Sequence, residues 1–296
     1  MSTVAEDRQK ESTIVRFFAA PRPVRAAFAV LERVAPGRGA RWAERIWFTL
    51  PKPKPRRPDE PVAKPGEPFR IAVGGHAVVG EVWGTGPVVY LMHGWAGYRG
   101  QLASFVAPLV DRGYRVVAFD APSHGDSAPG AFGPRSSTIV EFADALTQVV
   151  HRFGPPRAIV AHSLGATAAA VALCDGMRAH RLVLLAPMAS PLTYARQFGQ
   201  ILGFGPRTFE RLVGRVEQRV GAPMRQFDVP DLGRAVAMPP TLVVHDRGDV
   251  STPVSDGAAI AAAWPGARLH VTSGLGHRRL LHAPAVVDEV VDFITG

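Results

Sequence analysis

The chain has 296 residues, of which 47% are hydrophobic and 20% charged, and a formal net charge of +9. That is enough apolar material for one large folded domain with an appendage, yet Arg or Gly interrupts every apolar stretch well short of the roughly 18 residues a membrane-spanning helix needs. The polar start, residues 1–10, lacks the pattern of a secretory signal, and the single Cys174 cannot close an internal disulfide, so a cytoplasmic protein is expected.

The charge is concentrated at one end. Residues 1–65 hold 14 Lys and Arg against 7 Asp and Glu, whereas residues 66–296 hold 20 against 18. Within this basic N-terminal extension, Val24, Ala27, Phe28, Val30, Leu31 and Val34 recur at helical spacing and predict a helix over 23–34. A second short helix is expected over 41–48, with Ala43, Ile46 and Trp47 on one side. Four of the eight residues 51–58 are prolines, which makes that segment an extended linker. One reading of the extension is an amphipathic element resting on an anionic membrane surface or covering a site. Helices packed on the outside of the following domain are the favoured reading. Nothing interleaves aromatics with the basic residues and no zinc pattern occurs, so no nucleic-acid partner is expected.

Strands and helices then alternate. Residues 69–73 and 77–82, joined by Gly74-Gly75, read as an antiparallel hairpin at a sheet edge. Further strands are expected at 88–92, 115–119, 158–161, 182–185, 242–244 and 269–272, and helices at 102–111, 138–151, 164–175, 257–264 and 286–294. This rhythm predicts an α/β fold: a mostly parallel sheet flanked by helices, with working loops at the C-terminal ends of its strands. One stretch breaks it. Residues 188–238 separate two consecutive strands and carry two helical patterns, 192–202 and 207–220, whose Phe198, Ile201, Leu202, Phe204, Phe209 and Leu212 suit either an acyl pocket or a small core of their own. The expected organisation is thus an extension and linker over 1–65, a core over 66–187 and 239–296, and a helical insertion over 188–238.

Reactive residues sit at the ends of these strands. Ser163 lies in Ala161-His162-Ser163-Leu164-Gly165, between a β-branched run and an Ala-rich helix, where small neighbours permit a tight strand-to-helix turn that exposes the serine. A serine hydroxyl needs a base, and an imidazole titrating near neutrality suits that task; His277 follows Gly274-Leu275-Gly276 on a loop. A carboxylate must hold that imidazole in one tautomer, and Asp249 follows the strand at 242–244. Asp246 is the rival acid and His282 the rival base. The backbone N–H groups of Trp95 and Leu164 are the expected donors to a developing oxyanion, each worth about 3 kcal/mol of barrier.

Four segments together, His93-Gly94-Trp95-Ala96-Gly97, Phe119-Asp120-Ala121-Pro122-Ser123-His124-Gly125-Asp126-Ser127, the turn at Ser163, and the Asp249 and His277 positions, resemble the α/β-hydrolase superfamily, over about residues 69–294. The resemblance implies that fold with an eight-stranded type of sheet, a cap at 188–238, and ester or thioester hydrolysis through Ser163, His277 and Asp249, and the shortness of the cap favours a small to medium acyl substrate. Ala161 and Ser123 stand where the family usually has glycine; neither change removes a reactive group. A serine at the turn excludes the branches that use an aspartate nucleophile. Beside the reacting groups, His93, His162, Phe198 and Phe204 are the expected substrate contacts. No dense His/Glu spacing points to a metal, and no glycine-rich dinucleotide fingerprint points to a cofactor. The alternative function is a hydrolase-like binding scaffold held at an anionic membrane by its basic N-terminal segment.

Overall fold

The computed structural model describes residues 20–52 and 60–296. Most of the expected proline linker, and the polar start of the chain, lie outside the described residues. The chain forms two compact units, one comprising residues up to Thr49 together with Ser190–Asp228, the other comprising Leu50–Ala189 and Val229–Gly296.

The larger unit is a sheet of eight strands: β1 (Glu67–Val73), β2 (His76–Trp83), β3 (Val88–Met92), β4 (Arg115–Phe119), β5 (Pro156–His162), β6 (Arg181–Leu185), β7 (Thr241–Asp246) and β8 (Arg268–Thr272), in the order β1-β2-β4-β3-β5-β6-β7-β8. β1 pairs antiparallel with β2, and β2 with β4; the remaining neighbours run parallel. Parallel strands must be covered on both faces, and the sequence meets that demand with uninterrupted apolar runs. Val89, Leu91, Val116, Ala118, Val160, Val183, Leu185 and Val244 join one core with Phe105, Leu109, Val287, Val290 and Ile294. The last five come from the 3-10 turn Arg99–Phe105, α3 (Val106–Asp111) and α11 (Pro284–Thr295). Alternate residues such as Tyr90, Val117, Ile159, Leu184 and Val243 are also fully buried. Helices α4 (Ile139–Phe153), α5 (Leu164–Cys174), α8 (Val229–Ala235) and α9 (Val254–Ala263) pack successively, α4 on α5, α5 on α8 and α8 on α9.

The smaller unit is helical. α1 (Arg22–Val34) and α2 (Pro36–Phe48) come from the N-terminal extension, α6 (Pro191–Leu202) and α7 (Pro206–Val220) from the insertion. α2 begins five residues before the expected position, because Pro36 suits the first turn of a helix and its two glycines do not prevent it. Phe28, Ala40, Ala43, Phe48, Ala195, Leu202, Phe204, Leu212 and Val216 form its core. Phe28 stacks on Trp42 with ring centroids 4.4 Å apart.

Polar groups of α1 cap the two helix ends that meet at the α6–α7 turn. The Arg25 guanidinium donates to the Gln200 and Ile201 carbonyls at 2.7 and 2.6 Å, at the end of α6. The Glu32 carboxylate accepts from the Arg207 and Thr208 N–H groups, both at 2.9 Å, at the start of α7. α7 has Gly205 at its N-cap position, with no side chain to do this. Among the described residues, no helix is long and apolar enough to cross a membrane.

Candidate active site

Strand β5 ends at His162, and the chain turns at Ser163 into α5 with φ 54° and ψ −121°. A positive φ at a residue with a Cβ costs on the order of 1–3 kcal/mol and persists only where its surroundings enforce it. Here they do. The Ser163 N–H donates to the Leu185 carbonyl of β6 at 2.9 Å, and α5 begins so close to β3 that a Cβ on Gly165 would collide with the carbonyl oxygen of His93. The helix that leaves this turn is almost wholly buried and Ala-rich, so Ser163 is fixed by packing on both sides.

The loop after β3 lies beside that turn, since Met92 and Ala161 are register partners. Two histidines hold it. His93 donates from Nδ1 to the Gly94 carbonyl at 2.8 Å, and its Nε2 accepts from the Ala121 N–H at 3.0 Å. His124 donates from Nδ1 to the Pro122 carbonyl at 2.9 Å and accepts at Nε2 from the Ala96 N–H at 3.1 Å. Acceptance at Nε2 requires neutral rings. Burial pushes His93 down to about 4 and His124 down to about 3, outweighing the backbone hydrogen bonds that favour their charged forms. Both therefore remain neutral acceptors throughout the neutral range. Ala96, with φ 54°, turns the loop back. Among the described residues neither the Trp95 N–H nor the Leu164 N–H donates to another group; Leu164 opens α5, where a helix leaves its first N–H groups unsatisfied.

From the far edge of the sheet, β7 and β8 deliver an acid and a base. His277 Nε2 lies 3.1 Å from Ser163 Oγ, and its Nδ1 lies 2.7 Å from Asp249 Oδ2. The Asp249 side chain is fully shielded from solvent. Burial raises its pKa, but the hydrogen bond and charge of His277, with the N–H groups of Thr252 and Ser251, outweigh that and hold it below the usual carboxylate range. Asp246, the rival acid, is spent on the base's loop: it accepts from the Gly248 N–H at 2.8 Å, the Thr272 hydroxyl at 2.8 Å and the Leu275 N–H at 3.0 Å. His282 is the partner of Ser104, with Nδ1 3.3 Å from its hydroxyl, and does not join Ser163.

The other expected contacts are placed differently. The His93 and His162 side chains are almost fully buried, and His162 donates from Nε2 to the His277 carbonyl at 3.0 Å. Burial pushes its pKa well below the usual imidazole value, and the nearby His277 adds to that. These rings brace loops and present no free edge to a substrate. Phe204 is buried in the core of the helical unit, where Phe198 packs edge-on against it and against Trp47. Phe204 is buried and Phe198 half-buried in that core, the second of the two roles this stripe suits. Sequence reasoning missed Thr252 and His245, which touch Asp249. A hydroxyl three residues after an Asp is a turn pattern that would have flagged Thr252. Among the described residues no group of three His, Cys, Asp or Glu side chains is disposed to hold a metal ion.

A serine, imidazole and carboxylate in line, beyond the C-terminal ends of β5, β8 and β7 of this sheet, with the imidazole on the one-turn helix α10 (Gly276–Arg279) and not on the expected loop, accompany a match of residues 88–290 to the model of the alpha/beta hydrolase family. The chain belongs to the alpha/beta hydrolase family. A Pseudomonas putida relative of this family member, 2-hydroxy-6-oxononadienedioate/2-hydroxy-6-oxononatrienedioate hydrolase 2, is 30% identical over 71% of this chain and 85% of its own length. A non-heme haloperoxidase of Rhodococcus erythropolis is 28% identical over 77% of this chain and 99% of its own. Among solved structures, an esterase of Exiguobacterium antarcticum superposes with a TM-score of 0.58 at 16% identity, covering 79% of this chain and all of that one. This last likeness is one of fold.

Proposed function

We propose that this alpha/beta hydrolase is a serine hydrolase that cleaves an ester or thioester of a small to medium acyl substrate, with Ser163 as nucleophile, His277 as base and Asp249 as the acid that orients it. The observation that carries the reading is the unbroken line from Ser163 Oγ through both ring nitrogens of His277 to a buried Asp249. His277 takes the Ser163 proton at Nε2 as Oγ attacks the acyl carbon, and Asp249 stabilises the imidazolium without itself taking the proton. The negative oxygen of the tetrahedral intermediate is received by the Trp95 and Leu164 N–H groups, which have no competing acceptor among the described residues. His277 then gives its proton to the departing alcohol or thiol. Water, deprotonated by the same imidazole, releases the acid from the acyl-enzyme.

An ester or thioester is the bond proposed because its alcohol or thiol departs on receiving a single proton, which His277 supplies from Ser163. The scaffold alternative has less support, because α1 and α2 spend Phe28, Ala40, Ala43 and Phe48 on the core they share with α6 and α7. Labelling with a fluorophosphonate, read by intact mass, tests the proposal. One adduct on the wild type and none on Ser163→Ala is expected, followed by turnover of p-nitrophenyl esters and acyl thioesters. No adduct on a folded wild type would overturn it and return the scaffold reading.

A further inference from the structure

Thr252 is buried, with 3% of its surface exposed, and its hydroxyl stands at the centre of the acid–base pair. Oγ1 lies 2.9 Å from Asp249 Oδ2, 3.1 Å from His277 Nδ1, 3.3 Å from the Ala186 carbonyl and 3.4 Å from His245 Nε2. We propose that Thr252, braced by His245, is a positioning residue of the reaction: its hydroxyl locks the Asp249 carboxylate and the Nδ1–H edge of His277 in a single arrangement. This deepens the serine-hydrolase reading and rests on it.

A proton inventory gives the roles. The hydroxyl has one hydrogen, and the carboxylate is both the nearer and the charged acceptor, so Thr252 donates to Asp249 Oδ2. Its lone pairs then face the Nδ1–H of His277, which is shared between Oδ2 at 2.7 Å and Oγ1 at 3.1 Å. The other carboxylate oxygen is held by the Ser251 and Thr252 N–H groups at 2.8 and 3.0 Å. With Nδ1 bound in this fork, the proton cannot migrate to Nε2 and the lone pair stays on the side of Ser163. As Ser163 surrenders its proton the ring becomes cationic, and both acceptors at Nδ1 then bind it more tightly. An interaction that strengthens in the transition state acts on kcat more than on KM.

His245 fixes the turn that carries this hydroxyl. Its ring is fully buried at the end of β7, and Nε2 donates to the Thr252 carbonyl at 2.9 Å. Nδ1 has no hydrogen-bond partner among the described residues. It faces the first turn of α9, where a Cβ on Gly257 would sit 2.7 Å away. The positive end of that helix and the burial both favour a neutral ring, and the neutral tautomer with its proton on Nε2 is the one the Thr252 carbonyl needs. The glycine allows the helix to lie against the imidazole.

The experiment compares wild type, Thr252→Val, Thr252→Ser and His245→Phe for p-nitrophenyl acetate turnover and fluorophosphonate labelling rate, with thermal unfolding followed in parallel. Thr252→Val keeps the shape and removes the hydroxyl; kcat and labelling rate should fall by about 10- to 100-fold, as for loss of a hydrogen bond of roughly 1.5–3 kcal/mol to a charged group, with KM within about twofold. Thr252→Ser should recover most of the loss. His245→Phe should lower kcat in the same sense. Should the valine variant fail to fold, Thr252→Cys, which keeps only a weak donor, carries the same expectation. A wild type that labels, beside a Thr252→Val enzyme that labels equally fast, overturns the inference and leaves the hydrolase reading standing. Equal losses in Thr252→Val and Thr252→Ser would also overturn it, because packing and not the hydroxyl would be responsible. A folded wild type that does not label at all overturns the underlying reading instead.

Discussion

The two units of this chain solve the same problem, burial of apolar surface, with different materials. The sheet unit does so with aliphatic runs: β3, β5, β6 and β7 contribute Val, Leu, Ile and Ala buried on both faces. The helical unit uses aromatic rings covered by arginines. Phe28 stacks on Trp42, and the Arg219 guanidinium lies 4.3 Å from the centre of the Phe48 ring. Its described residues carry twelve arginines against five carboxylates. Strands pair through their backbones, so small and β-branched side chains suffice to fill the layers. A four-helix unit has no such ladder between elements and relies on large side chains and on caps such as Arg25 and Glu32. The reactive groups stand in the sheet unit, where parallel strands supply rigid ends on which a strained serine can be held.

The largest effect should come from Ser163→Ala. Ester turnover should fall by about a millionfold, while the unfolding temperature stays at the wild-type value or rises slightly as the strained turn loses a polar side chain. Unchanged turnover would remove Ser163 from the chemistry. Asp249→Asn should lower kcat by about 10⁴-fold, because an amide can present a donor to His277 and favour the wrong tautomer. The lowered pKa of Asp249 also has a consequence for acid stability. Its contribution to folding is complete above the ordinary Asp value of about 3.9 and is lost as pH falls through the still lower folded value. Urea unfolding from pH 6 to pH 3 should therefore show a steeper acid loss for wild type than for Asp249→Asn.

In the helical unit the same scale of perturbation should appear as stability and not as chemistry. Phe28→Ala, which removes a fully buried ring stacked on Trp42, should cost about 3–5 kcal/mol. A denaturation midpoint equal to the wild type's would contradict the core described for this unit. Glu32→Gln should cost about 1 kcal/mol, as loss of a helix cap does. Burial raises the Glu32 pKa, but the N–H donors of Thr208 and Arg207 outweigh it and lower the pKa overall. The difference between wild type and Glu32→Gln should thus be present at pH 6 and shrink as pH falls below the ordinary glutamate value of about 4.3.

Much of the sheet was legible because a buried parallel strand has to be a short apolar run and a hairpin has to turn on residues such as Gly74-Gly75. The turn at Ser163 was legible for a related reason: only small neighbours let β5 and α5 meet there. The residues that refine the site were not. His93 and His162 read as substrate contacts beside the serine, and the neutral, loop-bracing roles they share with His124 follow from burial that no local pattern announces. Phe198 and Phe204 have the periodicity of a core-facing stripe, which is the same pattern a pocket lining would have.

By itself, the sequence determined the alternation of strand and helix, the strained serine at the end of β5, and the chain order of Ser163, Asp249 and His277, because each is written within a few neighbouring residues. Only the tertiary structure decided that α1 and α2 share a core with α6 and α7, some 150 residues away, because the aromatic and capping contacts that join them have no common sequence signature. It also decided that Asp249 faces His277 while Asp246 ties down the loop beside it, and that Thr252 and His245 stand behind both. A carboxylate's role is set by which donors reach its two oxygens, and those donors arrive from strands and turns that are neighbours only in the folded chain.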